Sequence, residues 1–216
     1  MEALTEEELR FFTSLDTPIK IQDYLDSIPF NHEEDGETCM SPRRTKKAKK
    51  AHCMEGALLA SLCLMLQKRE PVILSLKVLD EDYDHVVALF KENGYWGAIS
   101  KTNHVVLGYR DPIYKTPREL ALSYFHEYFL VKTGEKTLRG YSRPINLRQF
   151  GEEWIASHED LFSIAIKIAD SYHNPIIPKK ISNIFGKRPK SSVHQQIFQT
   201  TASARALPDT VLHRFL

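Results

Sequence analysis

Apolar residues recur at helical spacing through the first thirty positions. Leu9, Phe12 and Leu15 follow Thr5, and Thr5 with Glu8 has the spacing of a capping box, so a short helix is predicted over 5–15. Thr17-Pro18 opens a second helix, whose apolar face is Ile19, Ile21, Tyr24, Leu25 and Ile28 and which Pro29 ends. Residues 31–39 are polar and acidic and include Gly36, which predicts a loop. Ser41-Pro42 reads as the N-cap and first residue of a third helix. A turn near Ala51-His52 would place Cys53 at the head of a long apolar helix running to Gln67; one continuous helix from Pro42 is the alternative.

Downstream the pattern changes to strands. Residues 71–79 are apolar, 80–84 form an acidic turn, and 85–90 give a second strand. Asn93-Gly94 predicts a hairpin into a third strand over 95–99, and 103–109 is a candidate fourth. Thr116-Pro117 opens an aromatic-rich helix through Phe129, and 151–172 has the pattern of one more amphipathic helix. Helices followed by an antiparallel sheet predict an α+β fold. The expected organisation is a single domain over 1–172 with its core in 41–110. Residues 173–216, basic and carrying Pro175, Pro178 and Pro189, are expected to form a linker or tail whose end docks as a turn.

Composition narrows the function. A formal charge of +1 over 216 residues creates no global field that would favour nucleic acid or an acidic partner. Three cysteines (Cys39, Cys53, Cys63) do not make a disulfide framework, and reduced thiols fit the cytoplasm. The acidic N-terminus does not read as a secretory signal, and the longest apolar run, 57–66, is too short for a bilayer, so no membrane partner is expected. Residues 43–50 hold six basic side chains: Arg43, Arg44, Lys46, Lys47, Lys49 and Lys50. They suit a solvated helix face, capture of an anion, or stabilisation of a nearby thiolate; without interleaved aromatics, nucleic acid is not expected. No glycine-rich phosphate loop, Gly-x-Ser-x-Gly elbow or zinc-type spacing is present, so neither cofactor nor metal is expected.

The candidate chemistry is a thiol and an imidazole. Cys53 at a helix N-terminus would feel the positive end of the helix dipole, which favours thiolate. His85, heading the second strand, is the candidate base, and a histidine satisfied by Asp84 is its bland reading. His52 is too close in sequence to face the thiol and suits tuning or binding; His104 is a further candidate. Cys63 reads as core, while Cys39, in the polar loop, is expected to be exposed enough to oxidise. Tyr95, Trp96 and the aromatics of 124–129 read as packing, with Trp96 a candidate wall of a substrate cleft.

In this order the elements resemble the transglutaminase-like branch of the papain-like cysteine superfamily, in its bacterial members. The residues that carry the likeness are Ser41-Pro42-Arg43-Arg44, then Cys53-Met54-Glu55-Gly56-Ala57-Leu58-Leu59-Ala60, the strand from Val72, His85, and Gly94-Tyr95-Trp96; they span 41–103. The resemblance implies thiol-dependent acyl transfer (amide hydrolysis, deamidation or transamidation) on a protein, peptide or small amide. In that family an aspartate in an Asp-Pro pair completes the site. Here the matching place holds Ser100, so Asn103, then Ser100, then Asp111 are ranked as the group that orients His85. The alternative is a catalytically inactive binding module of the same fold, with an anionic partner on the basic helix.

Overall fold

The computed structural model describes residues 4–130 and 132–178. Its first half is helical, and each helix starts where a side chain can replace a missing backbone acceptor. Thr5 forms a complete capping box with Glu8 at the start of α1 (Glu6–Ser14), Thr17 caps α2 (Pro18–Ser27), and Ser41 caps α3 (Pro42–Ala48). Lys49 ends α3 in the left-handed conformation, with φ 52°. The chain therefore breaks before α4 (Cys53–Leu66) instead of continuing as one helix. Every residue of α4 from Cys53 to Met65 is buried. A helix buried all round has no solvent face to present, and α4 is the central post of the fold.

Among the described residues, seven strands make one antiparallel sheet. They are β1 (Val72–Lys77), β2 (His85–Glu92), β3 (Tyr95–Ile99), β4 (Arg110–Tyr114), β5 (Gly140–Ser142), β6 (Ile145–Asn146) and β7 (His173–Pro175). The order is β4-β3-β2-β1-β5-β7, with β6 also on β1. Alternation along β2 sends Val86, Ala88 and Phe90 into the core around α4, and Val87 and Leu89 into a second core under α5 (Pro117–Tyr124). Both faces of β2 are thus covered, which is why 85–90 reads as a continuous apolar run rather than an alternating one. The result is an α+β architecture, with α6 (Phe162–Ala169) closing the helical side.

Several expectations need correction. Residues 103–109 hold a 3₁₀ turn over Val105–Leu107 in place of a strand, and β4 follows it. The helix expected to reach Phe129 ends at Tyr124. The region 151–172 splits into a 3₁₀ turn at Glu153–Ile155 and α6, because the polar stretch 157–160 interrupts the apolar period. Residues 173–175 join the sheet against β5, and Ile176 and Ile177 are buried, so this part of the expected linker is core. The rest of the expected tail, including the docking turn, lies outside the described residues.

Candidate active site

Cys53 is the first residue of α4, and the backbone that puts it there is held by His52. Its Nδ1 accepts from the Met54 amide at 3.2 Å, and Glu55 reaches back to the His52 amide at 3.0 Å, a capping box with an imidazole in the usual hydroxyl's role. Glu55 is fully buried and also accepts from the Thr38 hydroxyl at 2.7 Å, the Met40 amide at 3.0 Å and Asn31 at 3.2 Å. His52 is therefore a buried structural cap rather than one of the cleft-lining residues; its Nε2 lies 3.0 Å from the Thr38 carbonyl.

His85 begins β2, where the acidic turn returns from β1. Asp84 does not satisfy it: that carboxylate accepts from Lys77 Nζ at 2.9 Å and the Val78 amide at 2.8 Å, fixing the turn. The partner of His85 Nε2 is Ser100 Oγ, at 2.7 Å. Ser100 is in turn fixed by Gln22 of α2, whose amide pairs with the Ser100 backbone in both directions, at 2.8 and 2.9 Å. Lys101 locks the same segment by donating to the Leu25 and Ile28 carbonyls at the end of α2, at 2.8 and 2.6 Å. Gly56 lets α4 approach this segment: a Cβ there would overlap the Cβ of Lys101.

Cys53 and His85 line one small cleft, of about 70 Å³, together with Lys101, Asn103 and His104. Asp82, Tyr83, Glu127, Tyr128 and Phe129 line it as well. It opens at the end of β2 where α4, the segment after β3 and the segment after α5 converge.

Burial favours the neutral form of both groups. Burial pushes the Cys53 thiol up to about 12, against the opposing pull of the Val86 and Met54 amides, with Glu55 and Asp84 adding to the rise. Burial takes His85 down to about 3. The direction is opposite to the resting thiolate expected from the helix N-terminus, and burial of the sulfur is its largest cause.

Of the ranked third members, Ser100 contacts the imidazole; Asn103 is exposed at the cleft, and Asp111 is exposed on β4. Trp96 is not in the cleft: it sits in β3 opposite Lys91, whose ammonium lies 4.3 Å from its ring. Cys39 is buried and donates its amide to Asp160, so the expected exposure is absent; Cys63 is core, as its apolar setting predicts. On the basic helix, Arg43 forms a two-point pair with Glu8 (2.7 and 2.8 Å), Arg44 pairs with Asp160 and Lys46 with Glu7. Half of the basic run therefore fastens α3 to its neighbours. Sequence reasoning missed Gln22, Asp82 and Glu127; none has a motif, and only Gln22's place on the buried face of α2 hinted at a role.

Among the described residues no group of three or more His, Cys, Asp or Glu could hold a metal ion, and no helix is long and apolar enough to cross a membrane. Neither protein-family models nor curated proteins give a match to this chain.

Proposed function

We propose that this protein is a thiol-dependent acyl-transfer enzyme of transglutaminase-like type, acting on an amide or ester carbonyl. The observation that carries the reading is the shared cleft: Cys53 at the N-terminus of α4 and His85, fixed through Nε2 by Ser100, line it together. In the tautomer where Nε2–H donates to Ser100 Oγ, Nδ1 holds the lone pair that base catalysis requires. Because thiol and imidazole are both neutral at rest, proton transfer accompanies attack. The Cys53 proton passes to His85, a bond forms from Sγ to the carbonyl carbon, and the leaving amine departs with that proton. Water or a second amine then attacks the thioester carbonyl, its proton passes through His85, and Cys53 is released as thiol.

The test is acylation by p-nitrophenyl acetate, with the acetyl group located by peptide mass mapping. Acetyl-Cys53 is expected, and His85→Ala should slow its formation by roughly 10²–10⁴. A folded protein that leaves Cys53 unmodified, or an equal rate in the variant, would refute the reading. One feature favours the second reading, a transglutaminase-like binding module without catalysis: the hydroxyl of Ser100 bears no charge to stabilise an imidazolium, unlike a carboxylate. The same experiment separates the two.

A further inference from the structure

Resting on the acyl-transfer reading, we infer that Lys101 is a positioning residue of this site: it fixes the segment that orients His85 against the helix that carries Cys53. One side chain makes both connections. Its ammonium donates to the Leu25 and Ile28 carbonyls at the C-terminal end of α2, at 2.8 and 2.6 Å. The Leu25 carbonyl would ordinarily receive the amide of residue 29, and Pro29 has none, so the lysine supplies a donor that the helix lacks. A cation also suits the negative end of the helix dipole. The Cβ of Lys101 lies against Gly56 in the first turn of α4, where an added methyl would overlap it. Its backbone continues directly from Ser100, whose hydroxyl meets His85 Nε2 at 2.7 Å.

A cap on α2 alone would leave the site indifferent to this residue. Here the same helix also holds Ser100 itself: the Gln22 amide pairs with the Ser100 backbone at 2.8 and 2.9 Å, and Asp26, one turn on, accepts from the same Gln22 nitrogen at 2.9 Å. Residues 100 and 101 are therefore gripped by one helix at two successive positions. Lys101 lines the cleft with only 4% of its surface exposed, so its stem is cleft wall while its ammonium reaches α2. Burial lowers the value of that amine, and the Asp26 carboxylate opposes the fall. Freed from α2, the segment could carry the Ser100 hydroxyl away from Nε2. The imidazole would then lose the orientation that presents its other nitrogen as a base, and a misplaced base costs rate without any change at the thiol.

The test is a cycle of four proteins: the unaltered chain, Lys101→Met, Ser100→Ala and the double variant. Each is acetylated by p-nitrophenyl acetate, and the rate at Cys53 is taken per folded molecule. Lys101→Met keeps an unbranched stem against Gly56 and removes the donors to α2. It should slow acetylation by about threefold to fivefold, approaching the loss of one hydrogen bond to His85. In the Ser100→Ala background the same replacement should change the rate by less than about twofold, because the bond it acts through is already gone. Gly56→Ala, which presses on the Lys101 Cβ and leaves the ammonium in place, should show the same dependence on Ser100, and it decides the matter if Lys101→Met does not fold. Equal rates with and without these replacements, or a slowing as large without the Ser100 hydroxyl as with it, would overturn the inference and leave Cys53 and His85 standing. An unaltered chain whose Cys53 stays unacetylated would instead sink the acyl-transfer reading, and the inference with it.

Discussion

His52 precedes Cys53 by one residue and His85 follows it by thirty-two, yet the near histidine belongs to a closed polar network and the distant one lines the cleft. Around His52 the polar groups satisfy one another. Its two ring nitrogens meet the Met54 amide and the Thr38 carbonyl, and the Glu55 carboxylate collects donors from Asn31, Thr38, Met40 and His52. Around His85 one nitrogen is anchored on Ser100, and the ring borders open volume. Both rings are buried, so burial alone does not mark a functional histidine. The difference is whether the hydrogen-bond capacity closes within the protein or leaves room for a substrate.

The sharpest way to break this comparison is to remove Glu55. Glu55→Ala strands several buried donors at once, and each costs about 1–3 kcal/mol, so urea unfolding should show a loss of roughly 3 kcal/mol or more. A loss under about 1 kcal/mol would contradict the structural role of the His52 network.

Acid should act next, through His85. Its value in the folded chain is about 3, against 6.5 when exposed. Between those values the unfolded chain binds the proton and the folded chain does not. Stability therefore falls as pH drops through that window, by up to about 1.4 kcal/mol per pH unit, and is fully present above about 6.5. Glu8, held at about 2 by Arg43, loses its contribution in the same direction on acidification. The His85 share is isolated by His85→Gln, whose unfolding free energy should depend less steeply on pH over 4–7. Parallel curves for the two proteins would show that the imidazole is not held neutral.

Gly56→Ala should bring an overpacking cost of about 1–3 kcal/mol and a net loss of up to about 2 kcal/mol, since the new methyl meets Lys101 Cβ rather than the far end of its chain. Alanine's helix preference, about 1 kcal/mol, works the other way and is too small to win. A thermal melt at or above that of the unaltered chain would show that the segment after β3 can shift freely.

The smallest expected effect sharpens the site itself. Ser100→Ala removes one hydrogen bond from His85, worth about 1 kcal/mol, and should slow acetylation of Cys53 about fivefold. Gln22→Met, which removes both contacts to the Ser100 backbone, should slow it in the same direction. Unchanged rates in both would assign these bonds to packing alone.

Much of this was legible along the chain because local physics decides it. The caps at Thr5, Thr17 and Ser41, the break before Cys53, the largely apolar α4 and the Asn93-Gly94 hairpin each rest on residues a few positions apart. The short strands β5, β6 and β7 were not legible: two or three residues carry no period, and they exist only because β1 and β5 offer unpaired edges. The third member of the site shows the same boundary. Asn103 and Ser100 are equally polar in sequence, and only the pairing of β2 with β3, together with Gln22 from α2, carries Ser100 to His85 and leaves Asn103 outside. The charge state of Cys53 was also beyond the sequence. A helix start is written locally and argues for thiolate, but the neighbours that bury the sulfur come from distant elements, and their desolvation pushes the thiol the other way. By itself the sequence determined where α1, α2, α3 and α5 begin, most of the residues of the apolar interior, and that a thiol stands near one helix head. The tertiary structure alone decided which imidazole shares a cleft with that thiol, what orients it, and the burial that favours the neutral form of both, because desolvation and long-range hydrogen bonds depend on contacts between residues far apart in the chain.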